Sequence, residues 1–428
     1  MLDNPKVFIS GMGALTSTGL NLTDTWSAIL EGKSSLNRIS GFNLKGWPNA
    51  LGGEITDYNE VKMLPDKKLK KVISKQDNYG INAAMQAISH SRLMEFKDTL
   101  NDDMQAIFAE TCGVFVGSPG NKYLQQYDFL PLMAKTNCDM QKFAEQLFNE
   151  VHPMWLLKIL PNNVLAYVGI TYGLKGANHN ITNHAVGGTQ AIIEAYHAIK
   201  SGQISRAVVV GYDLGIEPQA LYYYDKIGVL SNNALKPFSS EHDGTILAEG
   251  AAAIVIESES SAQERGAKCY AEIIGGGSST ESTSLFSIEE EGNELAKLLS
   301  NTLSKYDISP ENIDFIVAHG NGNQKSDLSE ARAINSIFSN KIATTSFKWS
   351  MGHTLCASGI LDTILAVQSL KNKCIPGIAN LTRPAKGCEN LNISNKTRAL
   401  EDNTSAKSMI INRGFAGMNA AVIIEACK

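Results

Sequence analysis

The sequence predicts an α/β fold whose central sheet is built from two similar halves, and three observations support this. Short runs rich in β-branched residues alternate with segments of helical periodicity along the chain. The continuous apolar run Ala251–Ile256 is typical of a strand covered on both faces. Similar segments also recur in the two parts of the chain. The length of 428 residues and the 43% hydrophobic content are sufficient for a large core.

The first half is predicted to alternate four strands with three helices. Thr23 is predicted to cap the first helix, because a threonine oxygen can accept a hydrogen bond from an N–H of the first helical turn. The predicted strands are Val7–Ser10, Gly113–Val116, Ala207–Gly211 and Ala251–Ile256, and the predicted helices are Thr23–Leu30, Asp77–Ser91 and Gly188–Ile199.

The second half repeats this theme, and its last two strands are joined by a glycine-bearing turn. The predicted strands are Tyr270–Ile274, Phe315–Ala318, Ile342–Ser346, Ser408–Asn412 and Ala420–Glu425, and the predicted helices are Asn293–Leu303, Leu328–Ile337 and Gly359–Leu370. The boundary between the halves is placed in the polar stretch 258–266, which gives units 1–260 and 261–428. Since this stretch contains no long linker, we expect one compact unit.

Two short segments suggest an internal symmetry. In the first half H-A-V-G-G precedes a helix, and in the second half T-L-C-A-S-G precedes another. Superposing Gly188 on Gly359 places Ala185 opposite Cys356. Each half would then present a helix N-terminus near the centre of the molecule. Such an end carries unpaired N–H groups and a positive dipole end, which suit a thiolate or an oxyanion.

Composition and charge argue against several classes of protein. A net charge of −5 is unfavourable for binding nucleic acid, so no nucleic-acid partner is expected. The N-terminal segment leads directly into the first predicted strand, which predicts no signal peptide. The sequence contains no run of eighteen apolar residues, so no membrane span is expected. The seven cysteines are scattered without C-x-x-C pairs, so we expect no disulfide framework, no metal site and a cytoplasmic location.

Three local groups of residues could carry chemistry. His319 lies between a predicted strand and glycines, where open α/β sheets place ligands. Lys348 and His353 lie in K-W-S-M-G-H, just before a helix. Gly414 and Phe415 lie in the glycine-rich loop N-R-G-F-A-G-M-N between two strands, and such a loop can bring backbone N–H groups to an oxyanion. A single histidine or lysine, judged on its type alone, is more often structural or solvated than catalytic.

Taken in order, these segments resemble the β-ketoacyl-ACP synthase family, in particular its chain-elongating members and their polyketide relatives. The resemblance covers nearly the whole chain and implies a thiolase-like fold, in which two pseudo-symmetric halves form αβαβα layers. The segments that carry it are V-F-I-S-G-M-G-A-L-T-S-T-G, N-N-V-L-A-Y-V-G-I-T-Y-G-L-K-G, L-K-P-F-S-S-E-H-D-G, A-E-G-A-A-A-I-V-I-E, A-H-G-N-G-N, K-W-S-M-G-H and G-F-A-G-M-N.

The resemblance implies a decarboxylative condensation. In the family, a cysteine at a helix N-terminus takes an acyl chain from the phosphopantetheine arm of an acyl carrier protein. Two histidines then promote loss of carbon dioxide from malonyl-ACP and stabilise the enolate or oxyanion. Carried over, His319 and His353 are the histidine pair, and Lys348 supports the His319 site electrostatically. Neutral imidazoles can donate to a developing enolate.

The resemblance also assigns supporting roles. Phe415, next to Gly414, matches the gating phenylalanine, and its backbone N–H is one oxyanion donor. The other donor is the N–H of residue 185. Asp327 and Glu330 match structural polar residues behind the lysine. No cofactor is expected to be bound permanently, because the substrates arrive on the phosphopantetheine arm of the acyl carrier protein, which is the expected partner.

The sequence departs from the family at the nucleophile. Segment 184–188 places Ala185 where the family has its cysteine, and a methyl group cannot form a thioester. Asparagines follow His319 where threonines are usual, Arg413 replaces an apolar residue, and Ala416 replaces a glycine. Cys356 mimics a nucleophile motif, but a buried small cysteine is the interpretation we prefer.

Three hypotheses follow from these departures. In the first, the chain is a non-acylating, chain-length-factor-like subunit that pairs with an active paralogous ketosynthase as a heterodimer. In the second, it is a homodimeric condensing enzyme whose cysteine was deliberately replaced. In the third, it is a malonyl-ACP decarboxylase. The intact histidine pair favours the last two. The unusual flanks His184 and Val186 favour the first, which we prefer. A binding or structural protein outside acyl chemistry would predict no carrier-protein interaction.

Overall fold

The computed structural model describes residues 5–47, 49–120, 122, 124–401 and 405–427. Within these residues, ten strands form one mixed sheet. The strands are β1 (Val7–Thr16), β2 (Cys112–Gly117), β3 (Asn178–Ile181), β4 (Arg206–Leu214), β5 (Glu249–Ser258), β6 (Ala271–Thr280), β7 (Phe315–Val317), β8 (Ala343–Thr345), β9 (Lys407–Gly414) and β10 (Met418–Ala426).

The same strand order occurs twice in this sheet. The complete order is β8-β7-β9-β10-β6-β1-β5-β4-β2-β3. In the first half β1 pairs with β5 and β5 with β4, both antiparallel, and the pairs β4–β2 and β2–β3 are parallel. In the second half β6–β10 and β10–β9 are antiparallel, and β9–β7 and β7–β8 are parallel. The predicted pseudo-symmetric halves are therefore confirmed, whereas their boundary at residue 260 stays a prediction.

Fifteen helices lie in the described part of the chain. They are α1 (Leu22–Leu30), α2 (Lys75–Ser91), α3 (Leu93–Lys97), α4 (Asp102–Glu110), α5 (Leu124–Lys135), α6 (Met140–Glu150), α7 (Trp155–Ile159), α8 (Asn163–Tyr172), α9 (Gly187–Lys200), α10 (Pro218–Lys226), α11 (Glu259–Glu264), α12 (Asn293–Lys305), α13 (Gln324–Ile337), α14 (Lys348–Met351) and α15 (Ser358–Asn372). None of the helices in the described ranges is long and apolar enough to cross a bilayer.

Short elements complete the fold. Two small antiparallel pairs join Asn37–Arg38 to Leu51–Gly52 and Cys374–Ile375 to Arg398–Ala399. Five short 3₁₀ turns also occur among the described residues, at Lys67–Lys71, His184–Val186, Pro310–Asn312, Leu355–Ala357 and Phe415–Gly417.

The helices form three layers around the two halves of the sheet. Helices α9 and α15 contact each other and strands of both halves, which makes them the middle layer. Helix α2 packs against β1, β4 and β5 on one outer side, and α12 packs against β6 and β10 on the other. Every residue of Ser358–Leu370 in α15 is buried, as expected for a helix enclosed by the two halves of the sheet. The predicted αβαβα architecture is confirmed.

The helix starts differ from the sequence predictions by a few residues. Helix α1 begins at Leu22 and is capped by Asn21, whose side chain accepts the N–H of Asp24 (2.9 Å), so the prediction of Thr23 as the cap was wrong. Helix α2 begins at Lys75 because Ser74 and Asp77 form a reciprocal capping box. The four helices between residues 124 and 172 were not predicted from the sequence, and α5 and α6 pack on each other there.

Candidate active site

Two equivalent 3₁₀ turns meet at the centre of the molecule, His184–Val186 before α9 and Leu355–Ala357 before α15. The first residue of each turn has left-handed backbone geometry, with φ +48° at His184 and +47° at Leu355. This geometry is uncommon for residues other than glycine. Ala185 and Cys356 are the second residues of the two turns, as the internal symmetry predicted, and both are completely buried.

Two glycines allow these turns to approach closely. A Cβ on Gly188 would lie 2.4 Å from the carbonyl oxygen of Cys356, and a Cβ on Gly359 would lie 2.0 Å from Oγ1 of Thr189. Neither distance is possible for a real side chain. The glycine that follows each turn by two residues is therefore required for the contact between the two halves.

Cys356 uses its thiol to hold the opposite turn. Its Sγ lies 2.8 Å from the carbonyl oxygen of His184 and 3.2 Å from that of Ser118, and its one S–H proton is within reach of both. Burial, followed by the nearby carboxyl of Asp213, raises the pKa of the Cys356 thiol well above its usual value. A buried neutral thiol whose proton is directed to backbone carbonyls is a poor nucleophile, so the geometry supports the buried, structural interpretation of Cys356.

We expect thiol reagents to distinguish Cys356 from Cys138 in the native protein. Cys138 is exposed and should be labelled rapidly by 5,5′-dithiobis(2-nitrobenzoate), whereas Cys356 should be labelled only after unfolding. Peptide mass mapping after timed labelling measures both rates, and Cys138→Ser serves as the control. Rapid labelling of native Cys356 would contradict its structural role.

His319 and His353 line one cavity of about 430 Å³. Their ring centroids lie 5.1 Å apart, and the ring planes are nearly perpendicular at 81°. His319 follows the end of β7, and His353 lies between α14 and α15. The structure thus brings together two histidines that are 34 positions apart in the sequence (353 − 319 = 34).

Backbone hydrogen bonds fix the tautomers of this pair. The N–H of Arg413 donates to Nδ1 of His319, and the N–H of Leu355 donates to Nδ1 of His353, each at 3.3 Å. An Nδ1 that accepts a hydrogen bond carries no proton, so in both neutral rings the proton lies on Nε2. Burial, and next the charge of Lys348, lower the pKa of both imidazoles well below 6.5. Both rings are neutral hydrogen-bond donors at pH 7.

Lys348 is buried and bonded to a carboxylate that the sequence analysis missed. Its Nζ donates to Oδ2 of Asp362 (2.9 Å), and Nδ2 of Asn412 donates to the same oxygen (2.9 Å). Burial raises the pKa of the Asp362 carboxyl, whereas Lys348 opposes that shift. A single carboxylate in the apolar segment I-L-D-T-I-L of α15 was the signal that could have identified this partner.

Glu330 and Asp327 support the loop of His319 and are not bonded to Lys348. Glu330 accepts the backbone N–H groups of His319 (2.7 Å) and Gly320 (2.9 Å) through its two oxygens, and burial raises its pKa to about 7. Asp327 contacts Nδ1 of His242 (2.8 Å) and accepts the N–H of Phe238 (2.8 Å) and of Gly322 (3.2 Å). Their position behind the lysine stays a prediction, and α13 directs both carboxylates to the backbone around His319.

The backbone N–H of Phe415, which the family resemblance makes an oxyanion donor, is already engaged. It donates to Nδ1 of His184 at 3.3 Å, and the two rings stack with centroids 4.4 Å apart. Nε2 of His184 must then carry the proton, and it lies 2.5 Å from Oη of Tyr224. Burial lowers the pKa of His184 to about 4. From the sequence, His184 was expected only to be an unusual flank of Ala185.

Gly414 makes this arrangement possible. A Cβ at Gly414 would lie 3.1 Å from Nδ1 of His184 and 3.5 Å from the backbone nitrogen of Ala185. The absence of a side chain lets the end of β9 lie against the turn that carries Ala185. Gly414 is thus placed beside His184 and Ala185.

The closing loop is anchored on both sides of Phe415. Arg413 is buried, and its guanidinium donates to Oε1 of Glu281 (2.7 Å) and Oδ1 of Asn419 (3.0 Å). The backbone N–H of Ala416 donates to the carbonyl oxygen of Leu285 (2.8 Å). Ala416 has φ +60°, which an alanine adopts at a cost of roughly 1 kcal/mol. The loop is held in place despite this strain.

We expect Ala416→Gly to stabilise the protein by about 0.5 kcal/mol, because relief of the left-handed strain exceeds the extra backbone entropy of glycine in the unfolded chain. Urea unfolding measures the change. Ala296→Gly in the interior of α12 is the matched control and should instead destabilise by about 1 kcal/mol. Equal losses from both substitutions would show that no strain is relieved at Ala416.

Comparisons with known proteins agree with this fold. The N-terminal domain model of beta-ketoacyl synthases matches residues 4–262, and the C-terminal domain model matches residues 270–382. The 3-oxoacyl-[acyl-carrier-protein] synthase 2 proteins of Coxiella burnetii (strain RSA 493 / Nine Mile phase I) and Staphylococcus aureus (strain N315) are each 27% identical to the chain. The alignments cover 99% of this chain and 99% of each relative.

Two solved structures superpose closely on the chain. The ishigamide ketosynthase/chain length factor has a TM-score of 0.87 at 21% identity, and a Beta-ketoacyl synthase from Burkholderia phymatum STM815 has a TM-score of 0.86 at 22% identity. Both superpositions cover 99% of this chain and 100% of the other. At these identities the superpositions show the fold, and the two domain models, which together span most of the sequence, show that the chain belongs to the β-ketoacyl synthase family.

Proposed function

We propose that this protein is a non-acylating subunit of a type II polyketide or fatty acid synthase, which pairs with a cysteine-bearing β-ketoacyl-ACP synthase as a chain-length factor does. The proposal rests on the residues at one turn. Ala185 lies at the position of the family's nucleophile, and Nδ1 of the neighbouring His184 accepts a hydrogen bond from the Phe415 N–H. A methyl group cannot accept an acyl chain, and an engaged N–H cannot stabilise the oxyanion of acyl transfer.

The contacts of His184 argue against a simple replacement of cysteine by alanine. His184 stacks on Phe415, contacts Tyr224 through Nε2 and accepts the Phe415 N–H through Nδ1. A single Cys→Ala change in an active enzyme would leave the neighbours suited to acylation. The combination of Ala185 with His184 supports a subunit that has lost this step.

The surface near strand β3 supports a partner of the same fold. Strand β3 is at the end of the sheet and pairs only with β2 among the described strands. Large apolar side chains are exposed on the helices that precede it, with exposed fractions of 55% at Leu130, 85% at Phe148 and 74% at Ile170. An exposed edge strand with apolar neighbours is favourable for pairing with another chain.

The histidine pair supports a second candidate function, decarboxylation of malonyl-ACP. His319 and His353 each present an Nε2 proton, and both line the same cavity. When the bond between the malonyl Cα and its carboxylate breaks, carbon dioxide leaves, and the electron pair forms a thioester enolate. The two imidazoles would donate to the enolate oxygen, and protonation at Cα would give acetyl-ACP. The substrate would arrive on the phosphopantetheine arm.

Co-expression with a cysteine-bearing β-ketoacyl-ACP synthase of the same organism tests the main proposal. We expect a one-to-one complex by native mass spectrometry, and condensation of acyl-ACP with malonyl-ACP that requires both chains. Ile170→Glu should weaken the complex, whereas Leu30→Glu on α1 is an exposed apolar control that should not. A stable homodimer that forms no complex with such synthases would contradict the proposal.

A further inference from the structure

Two cysteines that are far apart in the sequence lie at the same end of the strand pair β6–β10. Cys269 comes two residues before β6 begins at Ala271, and Cys427 directly follows Ala426, the last residue of β10. In this antiparallel pair Ala271 faces Ala426. Continuing the register by one position brings Cys427 opposite Tyr270, the chain neighbour of Cys269. Neither cysteine lines the cavity of the histidine pair.

Backbone hydrogen bonds on both sides hold this end of the ladder in place. The N–H of Tyr270 donates to the carbonyl oxygen of Ile9 on β1 (2.8 Å), and the N–H of Ala426 donates to the carbonyl oxygen of Ala406 (2.9 Å). Opposite residues of an antiparallel ladder have Cα atoms about 5 Å apart, which is within the separation that a disulfide spans. The two cysteines can therefore be joined without a rearrangement of the sheet.

The two thiols are hydrogen-bonded to each other. This hydrogen bond lowers the pKa of the Cys269 thiol and raises the pKa of the Cys427 thiol, because the Cys427 S–H donates to the Cys269 thiolate. The charge of Arg265 also favours the Cys269 thiolate. The thiolate is the nucleophilic form of cysteine. Cys269 is thus the reactive member of the pair, and Cys427 is the neighbour that can complete a disulfide.

The exposure of the pair and its neighbours favour oxidation over metal binding. Cys269 and Cys427 are partly exposed, whereas Cys112, Cys356 and Cys388 are buried. Within the described ranges, no histidine, carboxylate or third cysteine joins the two thiols in a group that could hold a metal ion. A partly exposed thiolate beside a second thiol is the arrangement that peroxides oxidise to a disulfide.

We propose that Cys269 and Cys427 are a modification site, at which hydrogen peroxide forms a reversible disulfide. The Cys269 thiolate attacks one peroxide oxygen, the O–O bond breaks, and the departing hydroxide takes up a proton to become water. The sulfur of Cys427 then attacks the sulfenic acid on Cys269, so that the S–O bond breaks, a second water leaves and the S–S bond forms. The two thiols give up two electrons in total, and these reduce the peroxide. A thiol reductant such as glutathione reverses the reaction by exchange.

The disulfide would close residues 269–427, nearly the whole second half of the molecule, into one covalent loop. A cross-link over so long a loop restricts the unfolded chain strongly and leaves the paired strands unchanged. We therefore expect oxidation to raise the Tm by about 5 °C, as measured by circular dichroism, and dithiothreitol to reverse the increase.

Peptide mass spectrometry on the complete protein tests the proposal directly. Trypsin cleaves after Lys268 and Arg413, so Cys269 and Cys427 lie in separate peptides that contain no other cysteine. After treatment with hydrogen peroxide and blocking of the remaining thiols with N-ethylmaleimide, we expect these two peptides to be joined and to separate in dithiothreitol. This pair should form at least about tenfold faster than any other cysteine pair, because only here does a thiolate lie beside a second thiol.

Variants distinguish the roles of the two thiols. In Cys427→Ser, peroxide should leave Cys269 as a sulfenic acid, which dimedone traps, and in Cys269→Ser the Cys427 thiol should remain free. Neither variant should show the increase in Tm on oxidation. Cys374→Ser, at another partly exposed cysteine, is the matched control and should keep both the joined peptides and the increase. The peptide measurement on the unsubstituted protein decides the proposal even if a variant fails to fold.

Three results would overturn the proposal. The first is oxidation of the exposed Cys138 without any joined peptide, and the second is oxidation of both proposed partners to sulfinic acids without a disulfide. The third is trapping of Cys427 by dimedone in Cys269→Ser as fast as that of Cys269 in Cys427→Ser. These measurements contain no carrier protein and no partner synthase, so their outcome is independent of the proposed function.

Discussion

Restoring the cysteine alone, by Ala185→Cys, should give only slow acylation, and Ala185→Cys combined with His184→Gly should be acylated about 10²-fold faster. The new thiol would lie at the N-terminus of α9, where N–H groups and the helix dipole favour a thiolate. In the single variant, however, His184 still accepts the Phe415 N–H. Loss of one oxyanion donor costs roughly 10²–10³ in rate.

Glycine is the suitable replacement at position 184. It adopts the left-handed geometry of this residue, φ +48°, without strain, and it leaves the Phe415 N–H free. Intact-protein mass spectrometry during incubation with acyl-ACP measures acylation. His184→Gly alone is the control and should remain unacylated, because Cys356 is buried and hydrogen-bonded. Equal rates for the single and double variants would show that His184 does not block the oxyanion position.

His319→Ala or His353→Ala should decrease conversion of malonyl-ACP to acetyl-ACP by roughly 10²–10⁴-fold. Each substitution removes one of the two Nε2 donors that line the cavity, and the other cannot hold the enolate oxygen alone. Liquid chromatography and mass spectrometry of the carrier protein measure the conversion. His152→Ala, at an exposed histidine, is the matched control and should have no effect. Unchanged conversion in the two active-site variants would exclude the decarboxylase function.

The pH dependence of this conversion follows from the same histidines. Burial lowers the pKa of His319 and His353 well below 6.5. A base with a lowered pKa stays neutral until the pH falls to that lower value, so neither ring gains a proton between pH 8 and pH 6. The two imidazoles should therefore cause no change in the rate over this range in a buffer series. The Glu330 carboxyl, whose pKa is raised by burial to about 7, does titrate in this range, so the series is repeated with Glu330→Gln. A decrease with a midpoint near 6.5 that persists in Glu330→Gln would show that an imidazole of ordinary pKa controls the step.

Local sequence patterns were sufficient for nine strands of the large sheet, for six helices in their correct order and for the central symmetry, but not for β3 or the other helices. The apolar run of β5 and the helical spacing of α9 and α15 depend on neighbours a few residues away. The same holds for the two turns, since H-A-V-G-G lies entirely in the first half and T-L-C-A-S-G entirely in the second. For this reason the pairing of Ala185 with Cys356 could be predicted from the sequence.

Contacts between residues that are far apart in the sequence could not be predicted from local patterns. The Phe415 N–H and Nδ1 of His184 belong to residues 231 positions apart, and no local pattern links them. The pair Lys348–Asp362 was missed because Asp362 lies inside an apolar helix. Side-chain partners of this kind depend on how the layers pack.

The two ends of the ten-stranded sheet differ in a way that limits assembly. At one end, β3 is open to a neighbouring chain. At the other end, β8 has only three residues, the N–H of Thr344 donates to the carbonyl oxygen of Asn392 (3.0 Å), and the Arg398 guanidinium lies near the carbonyl oxygen of Thr344 (3.5 Å). A short, covered edge cannot template a further strand. Association through β3 would therefore stop at a closed pair of chains and would not propagate into a fibre.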